Sequence, residues 1–179
     1  KVSDLMQRRY VSYNLFGAAT GRLTTNPKSF PILTVRKDFR RLLKPNNDWF
    51  LQLDYNSADV RTFINLAGQP QPDGDVHEWY QNGEIFSPYK RKIKVEERKA
   101  LSYLVQSTTN DRILDRAIEI DALLEGRKSY IAFFIHDEVA IDFAQEDKDL
   151  LPKIKEIFEY GGFKSNISVG RDYFNLREL

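Results

Sequence analysis

Two aspartates stand where strand-forming runs give way to something else. Asp54 closes the run "WFLQLD", after which Val60, Phe63, Ile64 and Ala67 take up helical spacing. Asp137 interrupts "FFIHDEVAIDF", in which apolar residues flank the polar triplet His136, Asp137 and Glu138. Charges on a sheet surface cost stability unless they are paired or metal-bound. Two carboxylates brought to one sheet edge would suit divalent cations. Mg²⁺ takes oxygen ligands in octahedral geometry and is commonly held by one or two carboxylates plus substrate phosphates. Two such ions about 3.5–4 Å apart can activate a hydroxyl and stabilise a leaving phosphate oxygen. The spacing alone fits a nuclease equally well, and an acid at a turn is commonly only solvated or capping.

The elements that must position these residues follow from periodicity. Phe50, Gln52 and Asp54 fall on one face of a strand, with Leu51 and Leu53 on the other. The segment "EERKALSYLVQSTTNDRILDRAIEIDALLEG" predicts a long helix stopping near Gly126. "SYIAFFIHDEVAIDFA" predicts a hairpin turning at His136 and Asp137. "DKDLLPKIKEIFEYGG" predicts a helix ending at glycine, and "KSNISVGRDYFNL" a last strand. The stretch from Gln69 to Val95 reads as loop-rich, and residues 1–15 as the stub of an amphipathic helix.

Composition sets the outer limits. The chain has 179 residues, 41% of them hydrophobic and 13% aromatic, enough to bury one core. Its formal charge of +1 gives no bulk polycation, so any nucleic-acid surface must come from local placement. No cysteine occurs, which excludes disulfides and thiolate metal sites. No apolar run approaches the roughly twenty residues of a membrane span, and no signal peptide is evident. The expectation is a soluble protein of the cytoplasm.

Four stretches occur in an order that resembles family A DNA polymerases: "TGRL" (Thr20–Leu23), "LDYNSADVR" (Leu53–Arg61), "ERKALSYLVQSTTND" (Glu97–Asp111) and "HDE" (His136–Glu138). The second resembles that family's motif A, the fourth its motif C, and the closing "VGRDYFNL" its C-terminal strand. Phage-like members are the nearest in character. The resemblance implies an α+β palm subdomain, an antiparallel sheet backed by helices, over residues 16–179. It also implies template-directed DNA synthesis with two Mg²⁺ ions, a DNA primer-template and deoxynucleoside triphosphates.

Carried over residue by residue, the resemblance makes Asp54 and Asp137 the metal-holding carboxylates, with the main-chain carbonyl of Tyr55 a further ligand and Glu138 a supporting acid. Asp59 takes the place of a glutamate that crowds the sugar 2′ position, one methylene shorter, and His77 falls in the nucleotide-binding stretch. Arg22, Arg36, Arg98 and Gln106 match positions that contact primer-template, and His136 would lie near the primer terminus. Singly, Arg22 could instead pin its loop, Arg98 could pair with Glu96 or Glu97, and Gln106 could be an ordinary helix polar residue.

The pattern also departs from the family. Ser102, Leu104 and Ser107 replace its Asn, Pro and Gly. The fingers, which carry the cations that grip the triphosphate, are absent, with a deletion or gap near residues 86–89. The thumb is absent apart from the stub at 1–15. The chain alone is therefore expected to extend primers weakly or not at all. The alternative is a catalytically silent DNA-binding palm scaffold.

Overall fold

The computed structural model describes residues 10–68 and 80–179. In chain order its elements are β1 (Tyr13–Asn14), β2 (Thr24–Thr25), β3 (Trp49–Tyr55), α1 (Ala58–Gly68), β4 (Tyr80–Gln81), β5 (Glu84–Phe86) and β6 (Lys92–Lys94). There follow α2 (Glu97–Leu124), β7 (Tyr130–Ile135), β8 (Glu138–Phe143), α3 (Leu151–Phe158), β9 (Ser165–Gly170) and β10 (Arg177–Glu178). Five strands make one antiparallel sheet in the order β10-β9-β3-β8-β7. The architecture is α+β, as the sequence predicts.

β3 takes the centre of the sheet, with an apolar face of Leu51, Leu53 and Tyr55 and an opposite face that carries Phe50, Gln52 and Asp54. Leu51, Leu53 and Tyr55 enter a core completed by Val139 and Ile141 of β8, Ile113 and Ile120 of α2, and Ile154 and Phe158 of α3. Phe50 faces the other way, against Phe133, Ile135, Ala140 and Tyr173, under a cover from the chain around Ile32. β7 serves both cores through a bulge. Ile131 pairs with Ile141 but Phe133 with Ala140, so Ala132 is the extra residue. Ile131 and Phe134 therefore both meet the helix-side core, while Phe133 and Ile135 meet the opposite one.

Three features differ from the sequence expectation. Residues 80–94 are not loop but a three-stranded sheet, β4-β5-β6, whose Ile85 and Ile93 bury against Leu104 and Val105 of α2. Its signal is the Asn82–Gly83 turn, both residues at positive φ (53° and 79°), the strongest short-range mark of a hairpin. Residues 10–15 hold β1, paired with β2, and no helix, while the rest of the stub lies outside the described residues. Finally, Val60, Phe63 and Ile64 of α1 point outward and Ala58, Thr62 and Leu66 inward, where Leu66 joins Ile85, Ile93 and Leu104 and the Thr62 hydroxyl meets that of Thr109 on α2 at 2.8 Å.

Among the described residues no helix is long and apolar enough to cross a membrane. The turn after β9 is held by a buried carboxylate. Asp172 accepts hydrogen bonds from the backbone N–H groups of Asn175 (2.7 Å) and Phe174 (2.9 Å), and from Lys44 (3.3 Å). The backbone N–H of Asn175 does most to hold its pKa well below the usual carboxylate range, against a desolvation that acts the other way. A carboxyl with a depressed folded-state pKa stabilises above its unfolded pKa of about 3.9, and that stability is lost as pH falls below it. Urea unfolding is thus expected to show stability falling progressively as pH drops from about 4 towards the much lower folded-state pKa, and Asp172→Ala a shallower fall over the same range.

Candidate nucleotidyl-transfer site

The acids meet at the end of the β3–β8 ladder. Asp54 pairs directly with Glu138 across the strands, and with Asn166 of β9 on its other side. Directly opposed residues place their Cβ atoms roughly 5 Å apart on one face. That face also carries Gln52, Ala140 and Phe50, and looks away from the helices. Asp137 sits beside Glu138 in the two-residue turn between β7 and β8. Asp54, Asp137 and Glu138 are all partly buried.

Two of the four non-glycine residues with positive φ among the described residues flank these acids. Ser57 (φ 56°) lies in the turn from β3 into α1, and His136 (φ 55°) precedes Asp137. Left-handed backbone at a non-glycine residue costs about 1–3 kcal/mol and persists where surrounding structure enforces it. Here the Ser57 carbonyl accepts the first bond of α1 from Arg61 N–H (3.0 Å), and the Arg61 Nε donates to Asn56 O (2.7 Å). His136 is exposed.

Burial pushes the Asp54 carboxyl up to about 6, and the charges of Asp137 and Glu138 push in the same direction. No lysine or arginine contributes to that balance. The site is thus a concentration of negative charge that the described residues do not neutralise. Among the described residues no three acidic or histidine side chains close round a common point. This donor set fits Mg²⁺, which commonly takes one or two protein carboxylates and fills its shell with water and phosphate.

Glu138 is held from one side. The buried Tyr173 hydroxyl donates to its Oε2 at 2.8 Å and receives Gln52 Nε2 at 3.4 Å. The Tyr173 ring is fixed edge-on by Phe133 and Phe50, at 4.8 and 5.6 Å between centroids. Burial first, and then the Glu138 charge, raise the Tyr173 hydroxyl pKa far above its ordinary value, so it remains a donor. Tyr173→Phe is expected to cost about 1 kcal/mol of stability, measured by urea unfolding.

The other sequence-predicted residues are placed singly. Arg22 pairs with Asp59 at 3.4 Å, and the second Asp59 oxygen is buried without a partner among the described residues. Arg36 pairs with Asp38 (2.8 Å) and lies over the Phe39 ring. Arg98 pairs with Glu96 (2.7 Å) on the helix surface, and Gln106 Nε2 donates to Ser102 Oγ (3.1 Å). The Tyr55 side chain is buried, stacked on Phe158 with centroids 4.0 Å apart. His77 lies outside the described residues.

Sequence reasoning missed the residues that hold the site's surroundings together. Thr109, Asn110 and Asp111 are consecutive, buried and polar, and each grips a different segment. Thr109 holds α1 through Thr62, Asn110 Nδ2 donates to Gly21 O in the "TGRL" loop (2.9 Å), and Asp111 takes Arg91 in a bidentate pair (2.5 and 3.0 Å). Gly21, at φ 76°, runs so close to Arg91 that a Cβ there would meet its guanidinium carbon at 2.5 Å. The unbroken polar run from Gln106 to Arg112, where the apolar residues at helical spacing on either side lapse, is the available signal.

A solved structure described as the POL domain of Pol1 from M. smegmatis, in complex with DNA primer-template and dNTP, matches this fold with a TM-score of 0.76 at 13% identity. The chain has the fold of a DNA polymerase domain. The match covers 98% of this chain and 51% of that one, so the chain spans about half the length of its structural neighbour. No family model matches the sequence, and no curated protein does.

Proposed function

We propose that the chain is the palm of a family A DNA polymerase and supports template-directed nucleotidyl transfer. The observation that carries this reading is the cross-strand pair Asp54–Glu138, with Asp137 next to it in the turn and, among the described residues, no lysine or arginine offsetting the Asp54 charge. The neighbour's fold and its bound primer-template and dNTP support the same reading.

In this reading Asp54 and Asp137, with the Tyr55 carbonyl, hold two Mg²⁺ ions. Bound there, the ions supply charge neutralisation at the phosphates and acidify the primer 3′-hydroxyl. The chain's own residues do the positioning, which carries most of the acceleration in phosphoryl transfer. Tyr173 holds Glu138 by one carboxylate oxygen. Arg22, Arg36, Arg98 and Gln106 hold primer-template at phosphates and minor groove, where acceptors are alike for every correct pair. To do so the arginines exchange their present carboxylate partners for phosphate, which costs little because all three pairs are solvent-exposed. Asp59 takes the role of the acid that crowds the sugar 2′ position, and His77, outside the described residues, is assigned to the nucleotide by the resemblance alone. The fingers and thumb of a parent polymerase complete the enzyme.

A DNA-binding palm without turnover is the second reading. It is favoured by the direct passage of β5 into β6 through a turn closed by Lys90 N–H to Ser87 O (2.8 Å) and Ser87 N–H to Arg91 O (2.9 Å). Primer extension with and without Mg²⁺ separates the two. It is run on the 179-residue chain and on a polymerase carrying this palm between its own fingers and thumb. Mg²⁺-dependent extension by the graft supports nucleotidyl transfer. Duplex binding with no extension by either protein overturns it in favour of the scaffold, and shortening of the primer identifies a nuclease.

A further inference from the structure

The end of the sheet remote from the acids carries a second recess. Asp54 lies five residues along β3 from Trp49, roughly 17 Å at strand rise. On the helix side at the Trp49 end, a groove of about 660 Å³ opens between β3, β8, β9 and the start of α3. Its floor is apolar: Trp49, Leu51, Phe143, Leu151 and Val169. Its rim is cationic, from Lys148, Arg171 and Arg177, all exposed. Elsewhere on the surface arginines and lysines are commonly spent on carboxylates, as in Arg36–Asp38, Arg98–Glu96 and Lys128–Glu146. None of these three forms an ion pair among the described residues.

The acids nearby do not neutralise them. Asp172 lines the groove, but its carboxylate is committed to Asn175, Phe174 and Lys44. Glu178 follows Arg177 on β10, and strand alternation sends it to the opposite face. The register agrees, because Glu178 pairs with Ser168, which itself lies opposite Gln52 on the face of the acids.

β10 supplies the third element. It is the outermost strand of the sheet and, among the described residues, pairs only with β9, so no described strand covers its other edge. An extended segment added along that edge would direct every second side chain to the groove side of the sheet.

We propose that this groove and the β10 edge form a docking site for an extended peptide of a partner protein, with aliphatic or aromatic residues alternating with carboxylates. Charge complementarity selects the acids and the recess takes the apolar side chains. Of the floor's two aromatic rings Phe143 is buried and Trp49 half-buried, which favours such a segment over nucleic acid, whose bases need exposed aromatic faces to stack on. The site is separate from the candidate nucleotidyl-transfer site, so its test is independent of that function.

The test uses the full chain and fluorescence anisotropy with a labelled ten-residue peptide alternating leucine and glutamate. The comparison probes are the same peptide with lysine for glutamate, a peptide alternating serine and glutamate, and labelled oligo-dT. Saturable, salt-weakened binding of the Leu/Glu peptide alone is expected, falling at least tenfold in Arg171→Glu/Arg177→Glu. Both changed residues are exposed, and an unaltered thermal midpoint checks the fold. The proposal is overturned if the Leu/Glu peptide binds no better than either comparison peptide, if the double variant binds it as well as the parent, or if oligo-dT displaces it as the tighter ligand.

Discussion

Asp54→Asn is expected to make the protein more stable and the candidate site inert. In the parent the Asp54 carboxylate is partly buried opposite Glu138 and next to Asp137, and burial with those two charges raises its pKa to about 6. Like charges directly opposed across a ladder destabilise it by up to about 1 kcal/mol. The amide keeps the shape and removes the charge, so in EDTA at neutral pH the variant should unfold at higher urea. The gain is about 1 kcal/mol and not more, because the site is open enough for solvent to screen it. Mg²⁺ should reverse the ranking. An ion bound by the native state alone stabilises by RT ln(1 + [L]/Kd), about 1.4 kcal/mol at ten times Kd. That increment belongs to the parent and should vanish in the variant. In a polymerase carrying this palm, extension should fall roughly a thousandfold, the loss that accompanies several kcal/mol of transition-state charge stabilisation. Equal stability of parent and variant in EDTA, together with no response of the parent to Mg²⁺, would remove the basis for a cation site here.

The features that sequence exposed are those in which one local period governs. β3 alternates cleanly enough to place Asp54 at its end, and the apolar runs on either side of His136 and Asp137 leave only the turn for those two residues. The small sheet was lost among the charges of the 90–95 region, although Asn82–Gly83 marks its hairpin. α1 misleads for a different reason. Its helical stripe of Val60, Phe63 and Ile64 implies a buried face, yet tertiary context buries the face of Thr62. Whether a face is covered is a fact about its neighbours, and periodicity cannot supply it. The same limit applies to the acids. Their strand-end positions are local facts, but the Tyr173–Glu138 bond joins a residue past β9 to the start of β8. The bulge at Ala132, which sends Phe133 and Ile135 towards Tyr173, leaves no clear mark in the sequence.

The largest loss of stability is expected from Arg91→Ala, and it should exceed that from Asp111→Ala although both delete the same ion pair. Arg91 and Asp111 form two hydrogen bonds, at 3.0 and 2.5 Å. Asp111 retains 9% of its side-chain exposure and Arg91 30%. Removing the arginine strands a carboxylate that water barely reaches, whereas removing the aspartate leaves a guanidinium that can turn to solvent. Breaking a buried pair from one side costs about 3–5 kcal/mol when the survivor stays buried. Arg91→Ala is therefore expected near 3 kcal/mol and Asp111→Ala near 2 kcal/mol, the survivor's exposure making the difference. The double variant should cost less than the sum, since it leaves no orphan charge. Urea unfolding of the three proteins measures all of this, and additive single costs would mean that the pair does not act as one unit. A second consequence is functional. Arg91 packs against Gly21, and Asn110 beside Asp111 holds the Gly21 carbonyl, so the pair sets the path of the loop that carries Arg22. Loss of Arg91 should thus weaken primer-template binding as well, whereas Arg98→Ala, whose partner is a surface glutamate, should weaken duplex binding without any cost in stability.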